Sequence, residues 1–478
     1  MKRLLLTVAL LFVVAVSTAQ VTTATIRGSV TAYDKPLPGA TIVALHTPSG
    51  TNYGTIANSE GYYSISGMRV GGPYEITITF IGYKTLVFKD VHLTIGNPYS
   101  CDATLEESPI KVDDIVVVAG NKQTNHGNTF SRVEIETIPS IDRAIFDLTH
   151  LMSSAVSPAS GGIVLSGQSP RYNAFTIDGT SSEDIYGLGT TGMTGSLTRA
   201  NPIPIDALEA VSLSTSTVDV RESGFTGGAI NAVTRSGSNE FRGSAYTYFN
   251  NQDFWGTTPG KDVAERKTLS TQMTNIVGVT IGGPIVKDKL FFFAAGEFNR
   301  NMTPSSNYPG SGVSALTLEE AETISKRYEE LTGYDGGGYG QNRVLELTGS
   351  AVARLDWNIS DNHHLSLRYN MLHADADATS NTAQSFYFTG SEYANINRTH
   401  SVVTELNSSW TDKRNNHVGN SLRVGYTRLQ DGRTTTESLP AVIINGLGER
   451  DNGTATIGTN PYSGCNMLYQ DVFIFLAL

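Results

Sequence analysis

A mainly β chain is what these residues predict: a small β-sandwich in front, a mixed α+β segment after it, then the first part of an antiparallel transmembrane β-barrel. Three observations lead there. Glycine and tyrosine are abundant (Gly 48, Tyr 21) and charged residues make up only 17%, which suits many short strands and turns better than helices. Between Thr25 and Leu105 short β-rich runs alternate with turn residues. Beyond Asn239 the sequence settles into period-two runs about ten residues long, the length a tilted strand needs to cross a bilayer.

With 478 residues the chain has room for two or three domains. Its formal net charge of -11, with no offsetting Lys/Arg cluster, argues against a nucleic-acid partner. Cys101 and Cys465 lie far apart, so neither a disulfide framework nor a thiolate metal site is expected. No cofactor is implied. Catalysis is not expected either, because no GxSxG, HExxH or lysine-bearing P-loop is present, and the adjacent pair His363-His364 is read as surface.

The first residues, MKRLLLTVALLFVVAVSTAQ, combine basic Lys2 and Arg3, an apolar run from Leu4 to Val16, and Ser17-Thr18-Ala19 as a small-x-small cleavage site. Residues 1–19 therefore read as a secretory signal peptide. The apolar run is shorter than a span requires, and no later stretch reaches about 18 apolar residues. Membrane association further on must therefore come from strands or from a partner.

Residues 20–108 carry the runs ATIRGSV, GATIVALH, GYYSISG, YEITITFIGYKTLVF and VHLTI, a spacing that predicts a small sandwich. Within them IRGSV at Ile26 to Val30, PLPGATI at Pro36 to Ile42, NSEGYYSI at Asn58 to Ile65 and FIGYKT at Phe80 to Thr85 resemble the carboxypeptidase-regulatory-like domain at the front of SusC-like and Oar-like receptors. Gly28, Gly39, Gly61 and Gly82 suit tight turns or close strand approach. His46 and His92 are expected at the surface, and no peptidase ligand set is present.

Residues 109–122 form an acidic, proline-containing linker around Ile115 to Ala119. One reading is an extra edge strand of the sandwich. The other is functional: DDIVVVA at Asp113 to Ala119 resembles the TonB box. That resemblance gives Asp114, Ile115, Val116, Val117 and Val118 a coupling role, since strand addition to a partner needs free backbone groups and β-branched side chains. The implied partner is a TonB-type energy-transducing protein.

Residues 123–238 mix a helix-like SIDRAIFDLTHLM with strands and Gly-rich turns. YNAFTIDGT at Tyr172 to Thr180 and the stretch from Pro204 to Gly243 resemble the plug domain of TonB-dependent outer-membrane receptors. Ile177-Asp178-Gly179 matches the family's IDG turn, and GGAINAVTRSG from Gly227, Gly228 onward its closing strand. The wording is nearer the Oar-like branch; a surface lipoprotein partner is what the SusC-like branch implies.

Residues 239–478 are expected to hold barrel strands near 240–250, 272–282, 290–299, 345–359, 363–373, 401–411 and 420–430, with an eighth near 467–478. In LELTGSAVARLDWNIS, Leu345, Leu347, Gly349, Ala351, Ala353, Leu355, Trp357 and Ile359 share one face, against Glu346, Thr348, Ser350, Arg354, Asp356 and Asn358. Its neighbour HHLSLRYNML alternates likewise. Short connections then alternate with long ones, which places the short ones in the periplasm. Tyr246, Tyr248, Trp255, Trp357, Tyr369, Trp410 and Tyr426 are candidates for interfacial girdles. Ser314 to Gly333 reads as a solvated loop helix. Plugged lumens belong to barrels of about 22 strands, so this barrel is expected to be incomplete and the chain an N-terminal portion.

Together these features imply a receptor that imports an unidentified extracellular ligand, seated in outer-membrane lipids with its N-terminal domain in the periplasm. A surface-exposed or secreted β-rich adhesion protein is the alternative.

Overall fold

The computed structural model describes residues 22–95, 98–107, 115–119, 128–140, 143–149, 162–215, 224–258, 266–378, 381–411, 417–435, 438–460 and 467–477, with positions 152, 155, 156, 262 and 264. The signal-peptide reading, Asp114 and Cys465 lie outside the described residues.

Alternation in the first 90 residues produces β1 (Ala24–Ala32), β2 (Thr41–His46), β3 (Thr51–Ile56), β4 (Tyr62–Met68), β5 (Gly71–Thr79) and β6 (Thr85–Leu93). One sheet is built on β1 and β4, the other runs β6-β5-β2-β3. Their inner faces bury Ile26, Val30, Ile42, Ile65, Tyr74, Ile76 and Ile78, each worth roughly 1.5–3 kcal/mol when withdrawn from water. The same period corrects one expectation. Ile42, Ala44 and His46 all point inward, so His46 is buried, its Nδ1 2.6 Å from Ser49 Oγ and its ring 4.8 Å from that of Tyr74. A polar side chain is tolerated there because a hydroxyl meets it.

A seventh strand, β7 (Ile115–Ala119), extends the second sheet at its edge, parallel to β6, from Ile115 opposite Thr85 to Ala119 opposite Lys89.

The mixed segment holds β8 (Asn128–Ser131), α1 (Arg132–Thr137), α2 (Ile145–Thr149), β9 (Ala174–Ile177), β10 (Leu208–Ser214) and β11 (Ala229–Thr234). Its sheet runs β8-β10-β11-β9, with the two-residue strand Thr180–Ser181 beyond β9. The helix expected over SIDRAIFDLTHLM is confined, among the described residues, to five positions. The sequence pattern did not suggest α1. Ser131 starts it, its backbone N–H donating to the Glu134 carboxylate at 2.8 Å, and it stops before Pro139 because the residue preceding a proline disfavours helical backbone.

Eight antiparallel strands follow in one sheet: β12 (Arg242–Asn251), β13 (Met273–Val286), β14 (Leu290–Pro304), β15 (Arg343–Ser360), β16 (His363–Ala378), β18 (Tyr393–Thr411), β19 (His417–Thr434) and β22 (Leu468–Ala477). All seven expected strands and the eighth are present, but several are longer than the ten residues anticipated; β15 has 18 and β18 has 19. The apolar alternation marks only the lipid-facing band, whereas the outer ends continue the ladder beyond it with a polar outward face, as in HADADA of β16, where His373, Asp375 and Asp377 replace apolar residues opposite the inward Ala374 and Ala376.

The faces are inverted relative to a water-soluble sheet. On the outer side Val279, Phe298, Leu355 and Trp357 are well exposed, while on the inner side Ser350, Asp356, Arg368, Asn370, Glu405 and Arg423 are buried. Apolar outside and polar inside is the pattern of a strand wall in lipid. Tyr246 and Tyr248 depart from the expected girdle. Both fall on the inner face, where the Arg143 guanidinium lies over their rings at 4.7 and 4.5 Å.

Three long outer connections fold together. Helix α3 (Leu318–Thr332) packs on a three-stranded sheet of β17 (Ser385–Tyr387), β21 (Gly453–Ile457) and β20 (Val442–Leu447), burying Leu316, Ile324, Tyr328, Phe386, Phe388 and Ile457. The loop helix expected to be solvated is thus one layer of a small module. Below the mixed segment, the sandwich is seated against it and the wall: Ala210 and Val233 join the sandwich core, and Asn358 donates to Thr51 Oγ1 at 2.8 Å.

Candidate functional site

The turn Ile177-Asp178-Gly179 lies where the plug-like sheet meets the wall. Ile177 ends β9 and is buried. Asp178 and Gly179 follow with φ of +45° and +68°, a tight reversal that returns the chain into Thr180–Ser181. Aspartate and glycine are the residues that accept this backbone. A Cβ at 179 would also lie 2.0 Å from an Arg423 guanidinium nitrogen, so a side chain there would have to displace that arginine.

The Asp178 carboxylate accepts the Thr234 backbone N–H at 2.8 Å and its hydroxyl at 2.6 Å, which ties β9 to β11. It also faces two wall arginines, Arg368 at 3.5 Å and Arg354 at 3.7 Å. Arg354 is held by Asp356 and donates to the Thr234 carbonyl at 2.9 Å. Arg368 donates to Thr180 Oγ1 at 2.7 Å. Arg423 reaches the Gly179 carbonyl at 3.3 Å and is paired with Glu405 at 3.1 Å. Burial pushes the Asp178 carboxyl upward, but Arg368, Arg354 and the two Thr234 donors outweigh it and hold the group below the usual carboxylate range. The result is a charged latch, buried among four wall strands, that fastens one turn of the inner sheet to the inside of the wall.

Gly227 and Gly228 sit outside this latch. They allow close approach at the start of β11: a Cβ on Gly228 would lie 2.5 Å from the Leu165 side chain and 2.8 Å from the Ser214 carbonyl oxygen. Ile115, Val116, Val117 and Val118 lie in β7, in the edge-strand arrangement that was one of the two readings of this segment. Sequence reasoning placed Arg354, Asp356 and Arg368 on the polar face of their strands without linking them to Asp178. It did not single out Thr234, Glu405 or Arg423. The missing signal is three-dimensional, since strands far apart in sequence converge on one turn.

Among the described residues no cluster of three or more His, Cys, Asp or Glu is arranged to hold a metal ion. No helix is long and apolar enough to cross a membrane, which says nothing of strands.

Residues 25–106 match the carboxypeptidase regulatory-like domain, and residues 233–318 match an outer membrane β-barrel domain. The TonB-dependent transporter Oar of Myxococcus xanthus is 30% identical over 223 residues, covering 44% of this chain and 19% of that protein. A probable TonB-dependent siderophore receptor, PirA, of Acinetobacter baumannii is 25% identical over 215 residues, covering 42% of this chain and 26% of that one. The chain thus matches about a fifth to a quarter of the length of these curated relatives. Among solved structures, the outer membrane transporter YddB of Escherichia coli aligns with a TM-score of 0.49 at 16% identity, over 72% of this chain and 44% of that one. The chain carries a carboxypeptidase regulatory-like domain and an outer membrane β-barrel domain and is homologous to TonB-dependent transporters and receptors. The outer membrane is its location, with the N-terminal domain on the periplasmic side.

Proposed function

We propose that this chain supplies the coupling, gating and first wall strands of an energy-coupled outer-membrane importer. The carrying observation is the latch: an inner sheet fastened by Asp178 to Arg354 and Arg368 of a wall that is apolar outward. A sheet pinned inside a lipid-facing wall by buried charge is a closure, and a closure that opens needs work. Ile115 to Val118, with Asp114 before them, are the segment on which an inner-membrane TonB-type protein pulls. The pairing of β7 with β6 leaves, among the described residues, the other edge of β7 for a partner strand. Ile177, Asp178, Gly179, Gly227 and Gly228 keep the plug in shape. The ligand enters from the side of the outer module, and the outward apolar band contacts membrane lipid.

The test is photocrosslinking from a reactive group at Val117 in cells expressing the chain, with membrane fractionation alongside. Adducts to the energy-transducing protein that disappear when the proton gradient is collapsed support the reading. A water-soluble product whose gel mobility is indifferent to heating would sink it in favour of an adhesion protein.

A further inference from the structure

A cavity of about 820 Å³ lies between the plug and the first four wall strands, β12 to β15. That volume is within the range of small-ligand sites. Because β12 rises from the periplasmic side, the wall positions lining it, including Asn250, Thr274, Asn299, Asn301 and Thr348, are in the outer half.

Its charge is cancelled. The lining holds three arginines and three carboxylates, and every one is matched within the cavity wall. Arg132 pairs with Glu136 at 2.7 Å, Arg143 with Asp206, and Arg199 with Glu346 at 3.2 Å. Arg143 is further occupied by the Tyr248 hydroxyl at 2.9 Å. An anionic ligand such as a ferric chelate needs a net excess of cations, and the charges of this lining sum to zero, with Arg143 Nε alone of its buried guanidinium nitrogens left without a hydrogen-bond partner among the described residues.

What it does offer is neutral. Asn299 lines the cavity, and its Oδ1 is shielded from solvent with no hydrogen-bond partner among the described residues, so a donor is wanted there. Asn201 and Asn250 add amides, and Tyr248 and the half-exposed indole of Trp255 add ring surface at the mouth. Side-chain amides and hydroxyls bind ligand hydroxyl groups, and ring faces cover the apolar C–H faces of a pyranose.

We propose that this cavity binds an uncharged polyhydroxylated ligand, a neutral saccharide, and so defines the class of solute that enters. The inference rests on the import reading and narrows it.

The test is isothermal titration of the chain, refolded in detergent, in three arms. The first holds neutral malto-, cello-, xylo- and N-acetylchito-oligosaccharides, the second ferric citrate and ferric enterobactin, the third an uncharged Ser-Asn repeat peptide with blocked ends. The expected result is binding in the first arm, weakened about tenfold by Asn299→Leu and by Trp255→Ala, with heat-modifiable mobility retained in both variants. Binding only of a ferric chelate or only of the peptide overturns the proposal. So does saccharide binding that neither substitution weakens, or no binding in any arm. Each of these leaves the import reading standing as long as crosslinking at Val117 still responds to the proton gradient; loss of that response fails the import reading instead.

Discussion

Asp178 joins two jobs in one carboxylate, which makes its removal informative. Asp178→Leu would leave Arg354 and Arg368 facing each other across an apolar side chain, and breaking one partner of a buried ion pair costs about 3–5 kcal/mol. The expected outcome is a plug that loosens while the wall stays folded, seen as entry of a large antibiotic such as vancomycin into cells producing the variant, with unchanged heat-modifiable mobility. The sign of the pH dependence follows from the lowered carboxyl. A depressed acid stabilises the fold above its unfolded pKa, and that contribution disappears only as pH falls through the folded value, so the latch should hold throughout the ordinary carboxylate range. His46 behaves differently. Burial, then Arg69, then His92 press its pKa from 6.5 to about 3, so the unfolded chain binds the extra proton between those values. The sandwich should therefore lose about 1.4 kcal/mol per pH unit as pH falls below about 6.5. Urea titrations at pH 7 and pH 5 should show the loss, and His46→Gln should flatten it.

At the scale of elements, much was legible because a strand wall writes its environment into every second residue. The division of Leu345 to Ile359 from Glu346 to Asn358 is the division between lipid and lumen. It predicts unequal tolerance along β15: Ala353→Arg puts a charge into the lipid-facing band at a cost of about 2–4 kcal/mol near the midplane, whereas native Arg354, one residue on, faces Asp356 and the plug. Ala353→Arg should fail to reach the heat-modifiable form, and Ala353→Leu should reach it as the native chain does. What could not be read was the pairing of distant loops. Ser314 to Gly333 carries a helical period, but its partners Phe386, Phe388 and Ile457 come from connections that follow β16 and β19 and meet it only in three dimensions. The inward turn of Tyr246 and Tyr248 was hidden for a related reason: aromatic composition is the same in a girdle and in a plug contact, and only Arg143, about a hundred residues earlier, distinguishes them.

For the whole molecule, the position of β7 links the sandwich to the plug. The chain leaves the sandwich sheet at Ala119 and starts the plug sheet at Asn128, so tension applied to β7 acts on both. β7 is held to β6 by backbone pairing over five residues, a modest ladder at a sheet edge, whereas the latch is buried and charge-paired. Load should therefore strip the edge strand before it disturbs Asp178. Val117→Pro removes one backbone donor and is poorly accommodated in a paired strand. If coupling runs through this strand, the variant should insert normally and keep its vancomycin barrier, because the latch is untouched, yet lose the gradient-dependent adducts read from a reactive group placed at Val116. Adducts at the native level in Val117→Pro would show that the pull is applied elsewhere, whereas a leaky barrier in the same variant would mean that β7 contributes to closing the plug.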